Sequence, residues 1–210
     1  MLISAVSLFI NGLGVYLTIH AGLGAAPWDV LHLGISNSTG ISYGNASVMI
    51  SFAVLLIDIL LREQIGISMV IDAIVVGKSV DFFNYINIVP VPGTLAGRLG
   101  MILIGIVICS YTQYLYMCAS LGCGPRDTLL VGLKRHTKVL PIGAVSIILM
   151  SAVTLTGYLL GGPVGIGTLV CAFCTGPIMQ TAFRSVHFDA TRIRHQNIRE
   201  SIRIIRHKMS

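Results

Sequence analysis

The chain has 210 residues, of which 54% are hydrophobic and only 10% are charged, and its formal net charge is +6 at pH 7. A soluble domain carries roughly 25% charged residues, so this composition excludes a surface that faces water on all sides. Lys and Arg concentrate at 126–138 and 184–208, as expected for the cytoplasmic segments of a membrane protein. The sequence therefore predicts an integral membrane protein, and its positive charge does not indicate a nucleic-acid partner.

The predicted elements are long apolar helices separated by polar turns, with one short helix in each half of the chain. The first short helix has only the 12 residues from Pro27 to Ser38. At ~1.5 Å per residue it is about 18 Å long, less than the ~30 Å of a hydrocarbon core, so it is predicted to be re-entrant or interfacial. In chain order, the six predicted spans are 2–21, 45–61, 67–86, 99–121, 141–160 and 164–183, and the second turn and short helix occupy 122–137.

The turn before the first short helix returns before the second. Residues 21–34 align with 119–132, and seven of these 14 positions are identical, Gly, Pro and Asp among them. With a shift of one residue the match resumes, from Gly44 and Gly143 to Gly77 and Gly176. Each repeat holds three spans, an odd number, so the second repeat enters the membrane from the opposite side. The sequence predicts two inverted three-helix repeats, an arrangement that many secondary transporters use.

The predicted organisation has two membrane repeats, a linker and a tail. The first repeat is 1–89, the linker is 90–98 and the second repeat is 99–183. The tail, 184–210, is basic and carries isoleucines at loosely helical spacing. It is interpreted either as an amphipathic helix on the cytoplasmic membrane surface, in contact with anionic lipid, or as a solvated tail that fixes orientation. Both interpretations place the C-terminus in the cytoplasm.

Two acidic residues, Asp29 and Asp127, each lie two positions after a Pro that begins a short helix. Such a carboxylate can cap the free N–H groups of its helix. Alternatively, the two short helices meet near the midplane and their carboxylates line a substrate path. The candidate path residues are Pro27, Trp28, Asp29, Asp72, Pro125, Arg126 and Asp127, and the candidate turn glycines are Gly22, Gly24, Gly122 and Gly124.

The third span contains three charges, Asp72, Lys78 and Asp81. Charged residues within a membrane usually face a cavity or pair with one another. Lys78 and Asp81 are three residues apart on one helical face, so the spacing predicts an intramembrane ion pair between them.

Other polar patterns give little support for an enzyme or a metal protein. Cys171 and Cys174 are spaced like a redox motif but lie within an apolar run, where packing is the simpler interpretation. His20 and His32 flank the first turn without a third ligand. The chain has no phosphate-binding glycine loop, no Ser/His/Asp pattern and no HExxH. We therefore expect no metal, no cofactor and no catalytic activity.

Several of these motifs together resemble a known family. The run from Gly22 to Leu31, the Gly66-Ile67 start of a later span and the segment Gly77-Lys78-Ser79-Val80-Asp81 are similar to those of the YczE/YyaS/YitT-like bacterial membrane proteins. The resemblance covers nearly all of 5–183 and excludes the tail. It implies a multi-pass protein of the bacterial cytoplasmic membrane, in a family discussed in terms of transport and of accessory roles in secondary-metabolite production.

The function predicted from these features is a small-solute transporter or exporter with its path between the two repeats. The alternative is a non-transporting scaffold or regulator that docks a cytoplasmic enzyme through 126–138 and 184–210. The expected partners are the lipid bilayer and a small solute that the sequence does not identify, and the composition is also compatible with a homo-oligomer.

Overall fold

The computed structural model describes residues 2–63, 67–118, 124–137 and 140–186. All regular elements within these residues are α-helices, which confirms the predicted all-helical class. The predicted turn glycine Gly122 and the tail beyond residue 186 lie outside the described residues. The helices are α1 (Leu2–His20), α2 (Pro27–Thr39), α3 (Tyr43–Leu60), α4 (Ile67–Ile86), α5 (Leu95–Cys118), α6 (Pro125–His136), α7 (Ile142–Leu159) and α8 (Ile166–Ser185).

Four of these helices are long and apolar enough to cross a membrane, namely α3, α7, α8 and the segment Leu95–Met117 of α5. The described apolar segment of α1, Ala5–His20, is shorter. Helix α4 has 20 residues but carries the three charges noted above. Large apolar side chains face outward, such as Leu60 at 80% exposed and Phe173 at 75% exposed. Because lipid would cover such a surface, the chain is a helical, multi-pass membrane protein.

The helix boundaries agree with the predicted elements to within a few residues. The short helices α2 and α6 have 13 and 12 residues, and each has Pro in its first turn, where the missing N–H leaves no intrahelical bond unmade. The largest difference concerns the linker. Helix α5 begins at Leu95 instead of Leu99, so the second half of the predicted linker at 90–98 is already helical.

Helices from the two halves pack in matching pairs. Helix α1 lies against α5, and each of these two also packs on the last helix of its own half, α4 or α8. Each short helix packs on the opposite half, α2 against α7 and α6 against α3. Glycines allow close approach at the α1–α5 crossing: a Cβ at Gly14 would lie 2.8 Å from the Gly105 carbonyl oxygen, and one at Gly105 would lie 2.7 Å from that of Gly14.

The last two helices of the first half, α3 and α4, pack closely against each other, whereas those of the second half, α7 and α8, do not. Helices α3 and α4 touch at Gly44 and Gly77, where a Cβ added to Gly77 would lie 2.9 Å from the Gly44 carbonyl oxygen. The aligned positions in α7 and α8 are Gly143 and Gly176, and a Cβ at either would meet nothing within 4 Å. The two halves therefore share their sequence pattern but differ in how their last two helices pack.

The turn before α2 is bonded through its backbone to the turn before α8. The Gly167 N–H donates to the Leu23 carbonyl (2.8 Å), and the Ala25 N–H donates to the Pro163 carbonyl (3.3 Å). Gly24 has a φ of +103°, which favours glycine, and a Cβ there would lie 2.6 Å from the Gly165 nitrogen. The sequence predicted Gly22 and Gly24 as turn residues, and their positive φ values agree with that role.

Candidate functional site

The candidate site begins with the Asp29 carboxylate on α2, which is buried at 5% exposed. The Tyr43 hydroxyl, at the start of α3, donates to Asp29 Oδ1 over 2.8 Å. His32 lies one turn further along α2 and is fully buried, with its Nδ1 3.7 Å from the same oxygen and 3.2 Å from the Tyr43 hydroxyl. These three side chains form a small polar network between α2 and α3.

The sequence allows two interpretations of Asp29 and Asp127, either as helix caps or as part of a substrate path. Helix α2 has Ala26 as its N-cap and α6 has Gly124, and neither start has a side-chain capping hydrogen bond. Oδ1 of Asp29 accepts from the Tyr43 hydroxyl. In the structure the Asp29 carboxylate bonds to a side chain of the neighbouring helix α3, and both interpretations of the two aspartates stay predictions.

Arg126 joins the second short helix to this network. Its guanidinium carbon lies 5.3 Å from the centre of the Trp28 ring, within the range of a cation–π contact. Its Nη2 lies 3.5 Å from His32 Nε2. The Trp28 ring is buried at 6% exposed, and its indole nitrogen has no hydrogen-bond partner in the described part of the chain. The structure thus brings Trp28, Asp29 and Arg126 together.

The other candidate path residues occupy different surroundings. Pro27 and Pro125 are the first residues of their helices. Asp72 on α4 lies beside the start of α6, since a Cβ at Gly124 would lie 3.2 Å from its Oδ2. Asp127 follows Arg126 in the chain and is exposed, unlike the buried Asp29. The two aspartates that the repeat makes equivalent are therefore not equivalent in their environment.

The predicted ion pair between Lys78 and Asp81 does not form in the structure. Lys78 Nζ donates to Asn45 Oδ1 over 2.6 Å. Asp81 accepts from the Ser42 hydroxyl (2.7 Å) and from the Gly44 backbone N–H (2.8 Å). Both charges thus bond to the start of α3, because the close contact of α3 with α4 offers them partners that the sequence spacing could not show.

A family model described as a family of unknown function (DUF6198) matches residues 1–184. The chain belongs to this family. It is 36% identical over 174 residues to an uncharacterized protein of Haemophilus influenzae, covering 83% of this chain and 78% of that protein. It is 31% identical over 179 residues to the uncharacterized membrane protein YczE of Bacillus subtilis, covering 82% and 80% of the two chains.

A further Bacillus subtilis protein, the uncharacterized protein YyaS, is 26% identical over 184 residues, covering 86% of this chain and 90% of its own. The resemblance of this DUF6198 chain to YczE- and YyaS-like proteins is thereby confirmed. No solved structure matches the chain.

This member of the DUF6198 family also has a cavity of ≈ 240 Å³ between its first four helices. Tyr16, His20, Tyr43 and Asn84 are among its lining residues. Tyr43 therefore lines the cavity and also contacts Asp29 and His32. Sequence reasoning missed both the cavity and Tyr43, and it considered His32 only as a weak metal ligand, because no local spacing connects α2 to the start of α3.

Proposed function

We propose that the protein is a small-solute transporter or exporter, rather than an enzyme, with its path between two inverted three-helix repeats. The single observation that carries this proposal is the contact of Arg126 on α6 with Trp28 on α2, beside the buried Asp29. Short helices that meet at matching positions of two halves are typical of transport sites. Charged residues within a membrane protein usually face a substrate path or pair with one another. Arg126 and Asp29, held where α6 contacts α2, could therefore bind a solute, whereas a helix contact with only a structural role would not need these charges.

The packing of the helices supports the topology that this proposal needs. In it, α1, α3, α4, α5, α7 and α8 are the six spans, and α2 and α6 enter from opposite faces of the bacterial cytoplasmic membrane. Exchanging the two halves converts the α1–α4 contact into the α5–α8 contact and the α2–α7 contact into the α6–α3 contact. The concentration of Lys and Arg after residue 125 favours a cytoplasmic C-terminus.

The groups at the site favour a small polar solute that can accept hydrogen bonds. The Trp28 indole N–H is a buried donor without a partner among the described residues, and such a group is costly unless a ligand or water bonds to it. Arg126 adds a positive charge with several donors, and Asp29 adds a carboxylate on the other side of His32. A solute with a carboxylate or another acceptor, and with a donor group for Asp29, fits this arrangement.

The single tryptophan makes the proposal testable before the solute is identified, because Trp28 is the only tryptophan in the chain. The purified protein in lipid nanodiscs would be titrated with organic acids, amino acids and sugars while its fluorescence is recorded. We expect at least one of these classes to change the emission saturably. The change should be lost in Arg126→Gln and kept in Arg184→Gln, which removes an exposed arginine at the end of α8.

Flux provides the second half of the test. Vesicles that contain the protein would be loaded with the same compounds, and their release would be followed by mass spectrometry. We expect faster release of the compound that changes the Trp28 emission, and loss of that release in Asp29→Asn. Equal release from protein-free, wild-type and Asp29→Asn vesicles for every compound would contradict the proposal.

In the scaffold alternative, less of the basic segment 126–138 is free to dock a partner than the sequence suggested. Arg126, at one end of the basic segment 126–138, faces Trp28, whereas Arg135 remains 65% exposed in its side chain. Removing residues 190–210 distinguishes the two functions. Under the transport proposal the shortened protein keeps its solute response and flux, and loss of a cytoplasmic partner without loss of flux would support a separate docking role.

A further inference from the structure

Asp58, near the end of α3, has an unusual environment for an acidic side chain. It is completely buried at 0% exposed, and neither of its carboxylate oxygens has a hydrogen-bond partner among the described residues. An ionised carboxylate is very costly to bury without a partner, and such a group usually takes up a proton or a cation instead. Asp81 on α4 offers a contrast, since its two oxygens accept two hydrogen bonds.

Glu63 connects this buried carboxyl to the surface. Its backbone N–H donates to the Asp58 carbonyl over 2.9 Å, and its negative charge acts on the Asp58 carboxyl. The Glu63 side chain is itself only 6% exposed, and its Oε1 lies 3.0 Å from Nη1 of Arg135, whose side chain is 65% exposed. Gly132 on α6 leaves the space for this pair, because a Cβ there would lie 3.0 Å from Glu63 Cγ.

The second half of the chain shows that the repeat does not need a carboxyl at this position. The residue aligned with Asp58 is Gly157 on α7. A Cβ at Gly157 would lie 2.5 Å from the Leu31 nitrogen of α2, so that position serves close helix packing alone. The carboxyl of Asp58 is a feature of one half only, in a place where the fold can be built without it.

Besides Glu63 and Arg135, Arg62 follows Asp58 by four residues, and Lys134 and His136 lie in the last turn of α6. The His136 Nδ1 is 2.9 Å from the Gly132 carbonyl oxygen, on the part of α6 that contacts Glu63.

Three helices pack against α3, namely α2, α4 and α6. The groups on α2 and on the second half of α4 face the start of α3, about 20 Å from Asp58 at ~1.5 Å per residue. Asp72 and Arg126 lie beside the start of α6, and Asp127 is exposed. The groups at the start of α3 are Asp29, His32, Lys78 and Asp81.

We propose that Asp58 is a proton-binding site, and that the Glu63–Arg135 ion pair controls proton exchange between this site and water. Release leaves the Asp58 carboxylate and transfers the proton to a water molecule that enters when the ion pair opens; uptake is the reverse. A metal cation is a poorer fit, since hard cations take six or more oxygen ligands and Glu63 is already paired with Arg135. If the protein is a transporter as proposed above, this proton is the coupling ion. Only that coupling role depends on the transport proposal.

Carbodiimide labelling tests the site directly in the full-length wild-type protein. Dicyclohexylcarbodiimide reacts with protonated carboxyl groups in apolar surroundings, and peptide mass spectrometry identifies the labelled residue. We expect label on Asp58 at low and neutral pH, a decrease as the pH rises, and none on Asp81. Asp58→Asn should fold normally, because the amide is neutral, and should lose this label.

The ion pair gives two variants with opposite expected effects. Glu63→Gln removes a negative charge beside Asp58, so its proton affinity should fall by about tenfold and the label should disappear at lower pH. Arg135→Gln frees the Glu63 charge from its partner, so the affinity should rise by a similar factor and the label should persist to higher pH. Shifts in the same direction for both variants would overturn the role of the ion pair.

Two further outcomes would overturn the proton site itself. The first is protection of Asp58 by sodium chloride, compared with choline chloride at the same pH and ionic strength, because it would show a metal cation in place of the proton. The second is the absence of label on Asp58 at every pH together with a difference infrared spectrum, wild type minus Asp58→Asn at neutral pH, that has no protonated-carboxyl band. Both measurements use the wild-type protein and are independent of solute flux, so a failed transport proposal leaves this test intact.

Discussion

The guanidinium carbon of Arg126 lies 5.3 Å from the centre of the Trp28 ring, so a residue of α6 and a residue of α2 form one site. The two residues occupy equivalent positions in the two repeats. A buried cation–π contact of this kind contributes on the order of 2 kcal/mol. The contact therefore fixes α2 and α6 relative to each other and places the Arg126 charge beside the groups of α2.

The first prediction concerns this contact. Arg126→Gln removes the charge beside the indole, so the emission of Trp28 should change in wavelength or intensity, and the protein should unfold at a lower temperature. Arg184→Gln, an exposed arginine at the end of α8, is the matched control and should alter neither property. Identical spectra for wild type and Arg126→Gln would show that the guanidinium does not lie over the ring in solution.

The second prediction concerns the Tyr43 hydroxyl, which donates to the buried Asp29. Tyr43→Phe leaves that oxygen without its donor and should lower the free energy of unfolding by about 1–3 kcal/mol. Tyr85→Phe is the control, because Tyr85 is 90% exposed and lies in the last turn of α4. Thermal unfolding in the same detergent measures both, and equal stability of the two variants would rule out a structural role for the hydroxyl.

The third prediction uses aligned glycines from the two halves. Gly44→Ala places a methyl group against the Asp81 carboxylate and the Gly77 carbonyl, so it should destabilise the protein by roughly 1–3 kcal/mol through overpacking. Gly143→Ala adds the same methyl group where nothing lies within 4 Å, and stability should stay constant or rise slightly. Similar losses for both variants would mean that α7 and α8 pack closely in the membrane.

The fourth prediction tests whether Lys78 and Asp81 are energetically coupled. Each has its own partner on α3, so the effects of Lys78→Ala and Asp81→Ala on unfolding should add to within about 0.5 kcal/mol in a double-mutant cycle. Asp81→Ala should cost more, because it leaves two donors without an acceptor. A coupling energy well above this limit would restore the ion pair expected from the sequence.

Much of the helix pattern was predictable because the apolar runs end at Gly, Pro and charged residues. The starts of α2 and α6 follow from Pro27 and Pro125, and the repeat relates the two. Long-range contacts were not predictable in the same way. The spacing of Lys78 and Asp81 allowed a pair within one helix, but α3 approached closely enough at Gly44 to bond Asp81 itself.

In the candidate site, too, local patterns were predictable and long-range contacts were not. The sequence identified Trp28, Asp29 and Arg126, since a turn that occurs twice draws attention to the residues that follow it. Tyr43 lies at the start of the next helix and its contact with Asp29 depends on how α2 folds back on α3. No local sequence pattern marks Asp58 as buried, because its burial depends on how other helices pack around α3.

The crossing of α1 with α5 has a consequence for how the polypeptide can be divided. The two halves contact each other at this crossing through Gly14 and Gly105. The backbone bond from Gly167, at the start of α8, to Leu23 also joins them. In the connecting segment, a Cβ at Gly93 would meet nothing within 4 Å. A gene cut after Gly93 should therefore yield two separate polypeptides that assemble and co-purify. Gly105→Leu in the second polypeptide should prevent that assembly, because the covalent connection is not what holds the halves together.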